Sequence, residues 1–262
     1  MRATTCCVLL ATLIYNAGCD NWQEWWTYDG ISGPGYWGLM NPQWNMCSKG
    51  RRQSPINVEP DKLLFDPFLR QIHLDKHKIQ LYGFNKDLYH NMSEAQHKTQ
   101  GIVGISLMVQ IGDTPNPELR LITSSFDKVK FKGASTPIKH LSIRSLLPDT
   151  EQFMTYEGST THPGCWETTV WIILNKPIYI TKHELYALRK LMQGSQEAPK
   201  APLGNNARPL QPLHHRTVRT NINFHQQNNN CPTMYKEMHY KANKWTPDTK
   251  DHPFHSLQYS LH

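Results

Sequence analysis

The fourteen histidines are the residues with the greatest capacity for chemistry in this chain of 262: His73, His77, His90, His97, His140, His162, His183, His214, His215, His225, His239, His252, His255 and His262. A zinc centre that activates water takes three neutral imidazoles and keeps one position open. When two of the three come from one strand they stand two residues apart, because strand side chains alternate between faces. No two histidines here are separated by two, so the first half of such a site is absent. His73 and His77 would share a face only in a helix, whereas Ile72 and Leu74 beside them favour extended chain. His252 and His255 have no thiolate or carboxylate at ligand spacing, and His214-His215 reads as a surface doublet. No Gly-x-Ser-x-Gly elbow is present for serine-based hydrolysis. We therefore expect no catalytic residues, no metal ligands and no cofactor.

The elements that would position a site are mostly strands. Thr168 to Leu174 is dense in β-branched and apolar residues on both faces, which predicts a central strand buried on two sides. Gly101 to Ile111 (GIVGISLMVQI) predicts a second, Ile72 to Phe84 two short strand-like pieces, and Phe126 to Gly133 an edge strand. Thr181-Lys182-His183-Glu184 is a capping box, and Leu185, Leu188 and Leu191 or Met192 make one apolar stripe, so a helix is expected from about 182 to 193. Asn21 to Pro42, rich in Trp, Gly and Pro, predicts an irregular arm that packs its tryptophans on the body.

The first eighteen residues read as a signal peptide, with Arg2 as the positive region, Val8 to Ile14 as the apolar core and Ala17 or Gly18 for cleavage. The run is too short to span a bilayer, and no later window reaches eighteen apolar residues. A secreted, extracellular protein is expected, organised as one domain over residues 19–240 with a disordered tail over 241–262. Cys6 and Cys7 leave with the signal, and Cys19, Cys47, Cys165 and Cys231 allow three pairings. Asn91-Met92-Ser93 is a glycosylation acceptor in a polar segment expected to be a surface loop.

Twenty-eight Lys and Arg against twenty-one Asp and Glu give a net charge of +7. No acidic residue lies between Glu197 and Glu237, where Arg208, Arg216 and Arg219 form a candidate basic patch. Such a patch is either a solvated face or a surface for an anionic glycan or acidic partner. Nucleic acid is not expected, because no basic run is interleaved with aromatics and no finger or glycine-rich signature occurs.

Three blocks carry a family resemblance. Phe153 to Ile180 (FMTYEGSTTHPGCWETTVWIILNKPIYI) resembles the α-class carbonic anhydrase segment in which a Gly-Ser-Leu-Thr-Thr-Pro-Pro loop walls the zinc pocket and leads into a buried strand. Trp44 to Asn57 (WNMCSKGRRQSPIN) is similar to the family's Gln-Ser-Pro-Ile-Asn signature, and Asn206 to Arg216 (NARPLQPLHHR) to its Arg-Pro-Gln-Pro-Leu signature. The likeness is greatest to the secreted, acatalytic carbonic anhydrase-related proteins ten and eleven. It implies a mainly β (α+β) fold: a mixed, mostly antiparallel twisted central sheet with short surface helices.

The same resemblance sets Lys78 to Asn85 (KIQLYGFN) against the family's zinc-bearing strand, with Gln80 at a ligand histidine. Thr161 takes the place of the threonine that orients the metal-bound water, but its neighbours are Thr160 and His162, and Gly164 replaces a proline. Both positions are vestigial on this reading. A Cys47 to Cys165 disulfide is also implied, leaving Cys19 and Cys231 to pair or stay free. Asp66 to Leu69 matches a family stretch that roughly seventy-odd residues separate from the Gln80 strand; here a handful intervene. The missing block would carry the paired ligand histidines, the proton-shuttle histidine and several central strands, so the sheet is expected to be incomplete and open on the flank of the zinc pocket.

The function expected is thus binding without catalysis. The related branch implies a cell-surface or extracellular partner of the neurexin kind. A weak zinc-dependent carbonate dehydratase with a rebuilt site, and an unstable truncated product, are the alternatives.

Overall fold

A computed structural model describes residues 26–59, 62–65, 79–200 and 206–222, apart from the side chain of Phe65. Its principal feature is a six-stranded sheet. The strands are β1 (Leu63–Phe65), β2 (Gln80–Phe84), β3 (Ile102–Ser106), β5 (Phe153–Gly158), β6 (Thr169–Leu174) and β8 (Val218–Thr220), in the spatial order β1-β8-β5-β6-β3-β2. The β8/β5, β5/β6 and β3/β2 pairs are antiparallel, and β1/β8 and β6/β3 are parallel. Two further strands, β4 (Val109–Ile111) and β7 (Ile178–Ile180), make a separate parallel pair. This is a mixed sheet in which antiparallel pairs predominate, as expected.

The centre of the sheet follows from the two apolar runs. In β6 the side chains of Ile172 and Leu174 enter one core with Leu81, Ile105, Phe153, Ile178 and Ile180. Trp171 and Ile173 enter the other with Ile56, Val58, Met154, Tyr156 and Val218. A strand with apolar residues at every position is stable only between two such layers, each buried Leu or Ile contributing about 1.5–3 kcal/mol. The first layer is closed by α4 (Pro117–Thr123) and α5 (Ile143–Leu146), which supply Leu119, Ile143 and Leu146. Parallel register places Gly104 of β3 beside Trp171, and a Cβ on Gly104 would stand 2.9 Å from the indole ring. The absence of a side chain there lets the indole lie flat across the neighbouring strand.

Three expectations are corrected. Gly101 to Ile111 is not one strand: Leu107 still donates to the Ile79 carbonyl and extends the β2/β3 ladder, but at Met108, which accepts from Ile178, the backbone changes partner. The chain thereby leaves the main sheet, and Val109 and Gln110 are exposed. Phe126 to Gly133 is not an edge strand, because Phe126–Lys128 closes into a 3-10 turn, and only Lys130 and Lys132 bond to the 192–194 segment. The helix at the capping box is shorter than expected: α6 spans Lys182–Arg189, with Thr181 and Glu184 exchanging both bonds of the box. Glu184 also accepts from the Thr123 hydroxyl at 3.0 Å, which fastens α6 to α4.

The aromatic arm does pack on the body. Trp37 is fully buried, its indole N–H shared between the Thr27 and Ser32 carbonyls, and Trp26 and Tyr28 meet it edge-on. With Trp44, Cys47 and Cys165 these rings form a third core, between the arm and the loop after β5. The first short helix, α1 (Trp37–Met40), belongs to this arm, α2 (Met46–Lys49) comes just after it, and α3 (Met92–Ala95) follows β2. The expected signal peptide and tail, Cys19, Cys231, Asp66 to Leu69, His73, His77, His252 and His255 lie outside the described residues.

Candidate functional site

Gln80 and Tyr82 project from the same face of β2, as a period of two requires. Opposite them lies the loop that leaves β5. It is held from several directions: the Trp171 indole N–H donates to Ser159, Thr160 donates to the Trp166 carbonyl, and the Gln53 amide donates to the Cys165 carbonyl. Gly164, at φ +100°, and Cys165, at φ 47°, turn the chain back through left-handed backbone. The Cys47–Cys165 disulfide, with Cα atoms 5.0 Å apart, fastens this turn to α2. The expected bridge is present.

The loop presents Thr161 to β2. Its hydroxyl donates to Gln80 Oε1 at 3.2 Å, and the Tyr82 hydroxyl, also 3.2 Å from that oxygen, stands 3.4 Å from Thr161 Oγ1. From the arm, the Tyr28 hydroxyl reaches the Thr161 carbonyl at 3.3 Å. The group is one carboxamide, one aliphatic hydroxyl and two phenols. Burial, reinforced by Tyr82 and opposed by Arg208, pushes the Tyr28 phenol up to about 12. Burial also raises Tyr82, more than its bonds to Thr161 lower it. Both phenols are therefore neutral donors at physiological pH. His162 faces Tyr82 and Trp166 edge-on, and burial holds its imidazole below the ordinary range.

Arg208 is not part of a surface patch, which corrects the expectation for it. Its guanidinium is buried and donates to Gln53 Oε1 at 2.8 Å and to the Ser54 and Cys47 carbonyls at 3.0 Å. Burial lowers it to about 10, with Tyr28 and Glu167 opposing the shift. Arg216 is half-buried and donates to the Leu213, Pro212 and Glu157 carbonyls, and only Arg219 is fully displayed, on β8. Backbone carbonyls and, for Arg208, the Gln53 side-chain oxygen take up the donors of the first two. Asn91 is exposed, but it caps α3 by accepting from Glu94 at 2.9 Å and so begins a helix, not an irregular loop. His214 and His215 are exposed in a turn.

The match to known proteins accords with this arrangement. Residues 75–222 match the model of eukaryotic-type carbonic anhydrase, more than half of the chain. The chain belongs to the eukaryotic-type carbonic anhydrase family. A carbonic anhydrase-like protein 2 of Caenorhabditis elegans is 31% identical over 290 aligned positions, covering 82% of this chain and 86% of the relative. Since 82% of 262 residues is about 215, about 75 of those 290 positions are filled by the relative alone.

The zinc chemistry of carbonic anhydrases finds no matching donor set among the described residues. The network around Thr161 offers a carboxamide and hydroxyls where imidazoles are required, and a carboxamide oxygen already accepting two hydroxyls is a poor ligand. Among the described residues no three His, Cys, Asp or Glu side chains group closely enough to hold a metal ion. The resemblance led to Gln80, Thr161, Cys47 and Cys165, and the structure brings each pair together. Tyr82 and Tyr28 were missed. The first was legible, since it lies two residues beyond Gln80 and shares its face; the second approaches from 133 residues away and leaves no local signal.

Proposed function

We propose that this chain is a secreted, catalytically inactive carbonic anhydrase-related protein, kin to the acatalytic related proteins ten and eleven, that acts by binding another protein. The observation that carries this reading is Gln80. Its side-chain oxygen is the shared acceptor for Thr161 and Tyr82, so polar groups of the chain itself complete the network at the ligand position. The same reading takes residues 19–240 as one unit released from a signal peptide, with a glycan on the exposed Asn91. A partner at the extracellular or neuronal surface, of the neurexin kind, follows from the family resemblance.

Stopped-flow hydration of carbon dioxide by the secreted chain, with and without added zinc, tests the catalytic half. No acceleration above a metal-matched blank is expected. Hydration that rises with zinc and is abolished by a sulfonamide overturns the reading.

A further inference from the structure

β2 is an outer strand of the main sheet, bonded among the described residues to β3 alone. The ladder fixes which backbone groups remain outward. Asn85 donates to the Gly101 carbonyl and Ile79 accepts from Leu107, so residues 79, 81, 83 and 85 turn their backbone to β3. Antiparallel alternation then turns the N–H and C=O groups of Gln80, Tyr82 and Phe84 to the open side.

Edge strands of monomeric proteins are usually guarded by charge, proline or a bulge. Gln80–Phe84 (QLYGF) has no charged residue and no proline, and its register with β3 is unbroken over all five residues. Lys86, the next charge along, sits in the turn after the strand. The strand is also complementary to itself. In an antiparallel pairing centred on Tyr82, the three outward residues of one copy face the three of the other, Gln80 opposite Phe84 and Tyr82 opposite Tyr82. On the other face Leu81 meets Gly83, where the space a side chain would fill is open.

We propose that a second copy of this chain occupies this edge, β2 against β2 about a two-fold axis through Tyr82. Each outward residue exchanges both backbone bonds with its counterpart, giving about six hydrogen bonds and one sheet continuous through two copies. Self-complementarity and the absence of charge favour a second copy over a foreign strand. The proposal is independent of catalysis or its absence.

The test uses the full secreted chain. Size-exclusion light scattering over a hundredfold range of concentration should show one copy passing to two, with slowed hydrogen exchange at the Tyr82 and Phe84 amides in the two-copy form. Phe84→Pro removes an outward N–H and leaves the β2/β3 ladder intact, so it should raise the dimer dissociation constant at least about tenfold. Leu88→Lys, exposed and outside the strand, should leave the constant unchanged. A single copy at every concentration overturns the proposal. So do a dimer in which those two amides exchange freely, assembly beyond two copies, and protection of those amides in the single copy, which would mean that the chain covers its own edge.

Discussion

Gln80 and Thr161 meet at 3.2 Å across 81 residues of sequence, the hydroxyl donating to the carboxamide oxygen. The contact joins the strand that would bear a metal ligand to the loop that would orient a bound water. Restoring one imidazole leaves the rest of a zinc shell absent among the described residues, and lowering the pKa of water toward 7 needs the full shell. Gln80→His is therefore expected to show no metal-dependent hydration, and a zinc-dependent rate in the stopped-flow assay would contradict this.

The Cys47–Cys165 bridge closes a loop of 118 residues. Chain-entropy arguments give such a closure roughly 2–5 kcal/mol. Cys47→Ala should lower the thermal midpoint and sharply reduce the yield of folded protein. An unchanged midpoint would mean that the third core holds the arm and loop together unaided.

Arg208 serves three acceptors through a planar fork that a lysine cannot reproduce. Arg208→Lys should cost about 2–4 kcal/mol, as buried carbonyls lose their donors. Arg219→Lys, at an exposed position, should cost close to nothing. Urea titrations of the two variants decide the matter, and equal midpoints would refute the buried role.

Much of the architecture was legible because it is local. Thr168 to Leu174 carries apolar residues on both faces, and the capping box at Thr181 is a four-residue signal. What was not legible depends on distant partners. Nothing within GIVGISLMVQI marks the change of partner at Met108, because β7 imposes it from some seventy residues later. Arg208 looked like a surface cation because the carbonyls that bury it lie 154 and 161 residues earlier. Gln80 and Thr161 came from family resemblance, since neither residue has chemistry of its own to announce.

Gly104 sits where any side chain would enter the Trp171 ring. Gly104→Val should cost at least about 1–3 kcal/mol by overpacking. Thermal unfolding measures this, and a loss below about 0.5 kcal/mol would show that the indole can move aside.

His162 is the group expected to make stability depend on pH. Its folded pKa lies below the ordinary 6.5, so below that value the unfolded chain binds the extra proton first. Stability is complete above about 6.5 and is lost as pH falls toward the folded value. His162→Phe keeps an aromatic ring against Tyr82 and Trp166 and should flatten that slope. Urea midpoints at about pH 7.5 and 5.5 test it; parallel curves for the two proteins would place the sensitivity elsewhere.

The join at the middle of the sheet also sets the order of folding. β2 with β3, and β5 with β6, are antiparallel neighbours close in sequence, and each pair can form early as a local unit. The backbones of the two units join through the parallel register of Ile102 with Thr169 and its successors, and β5 gains its other neighbour only when β8 arrives. Contacts of such long range are slow to form because loop closure must precede their reward. The docking of the two halves is then the step expected to limit folding, and until it occurs the inner edges of both remain unpaired.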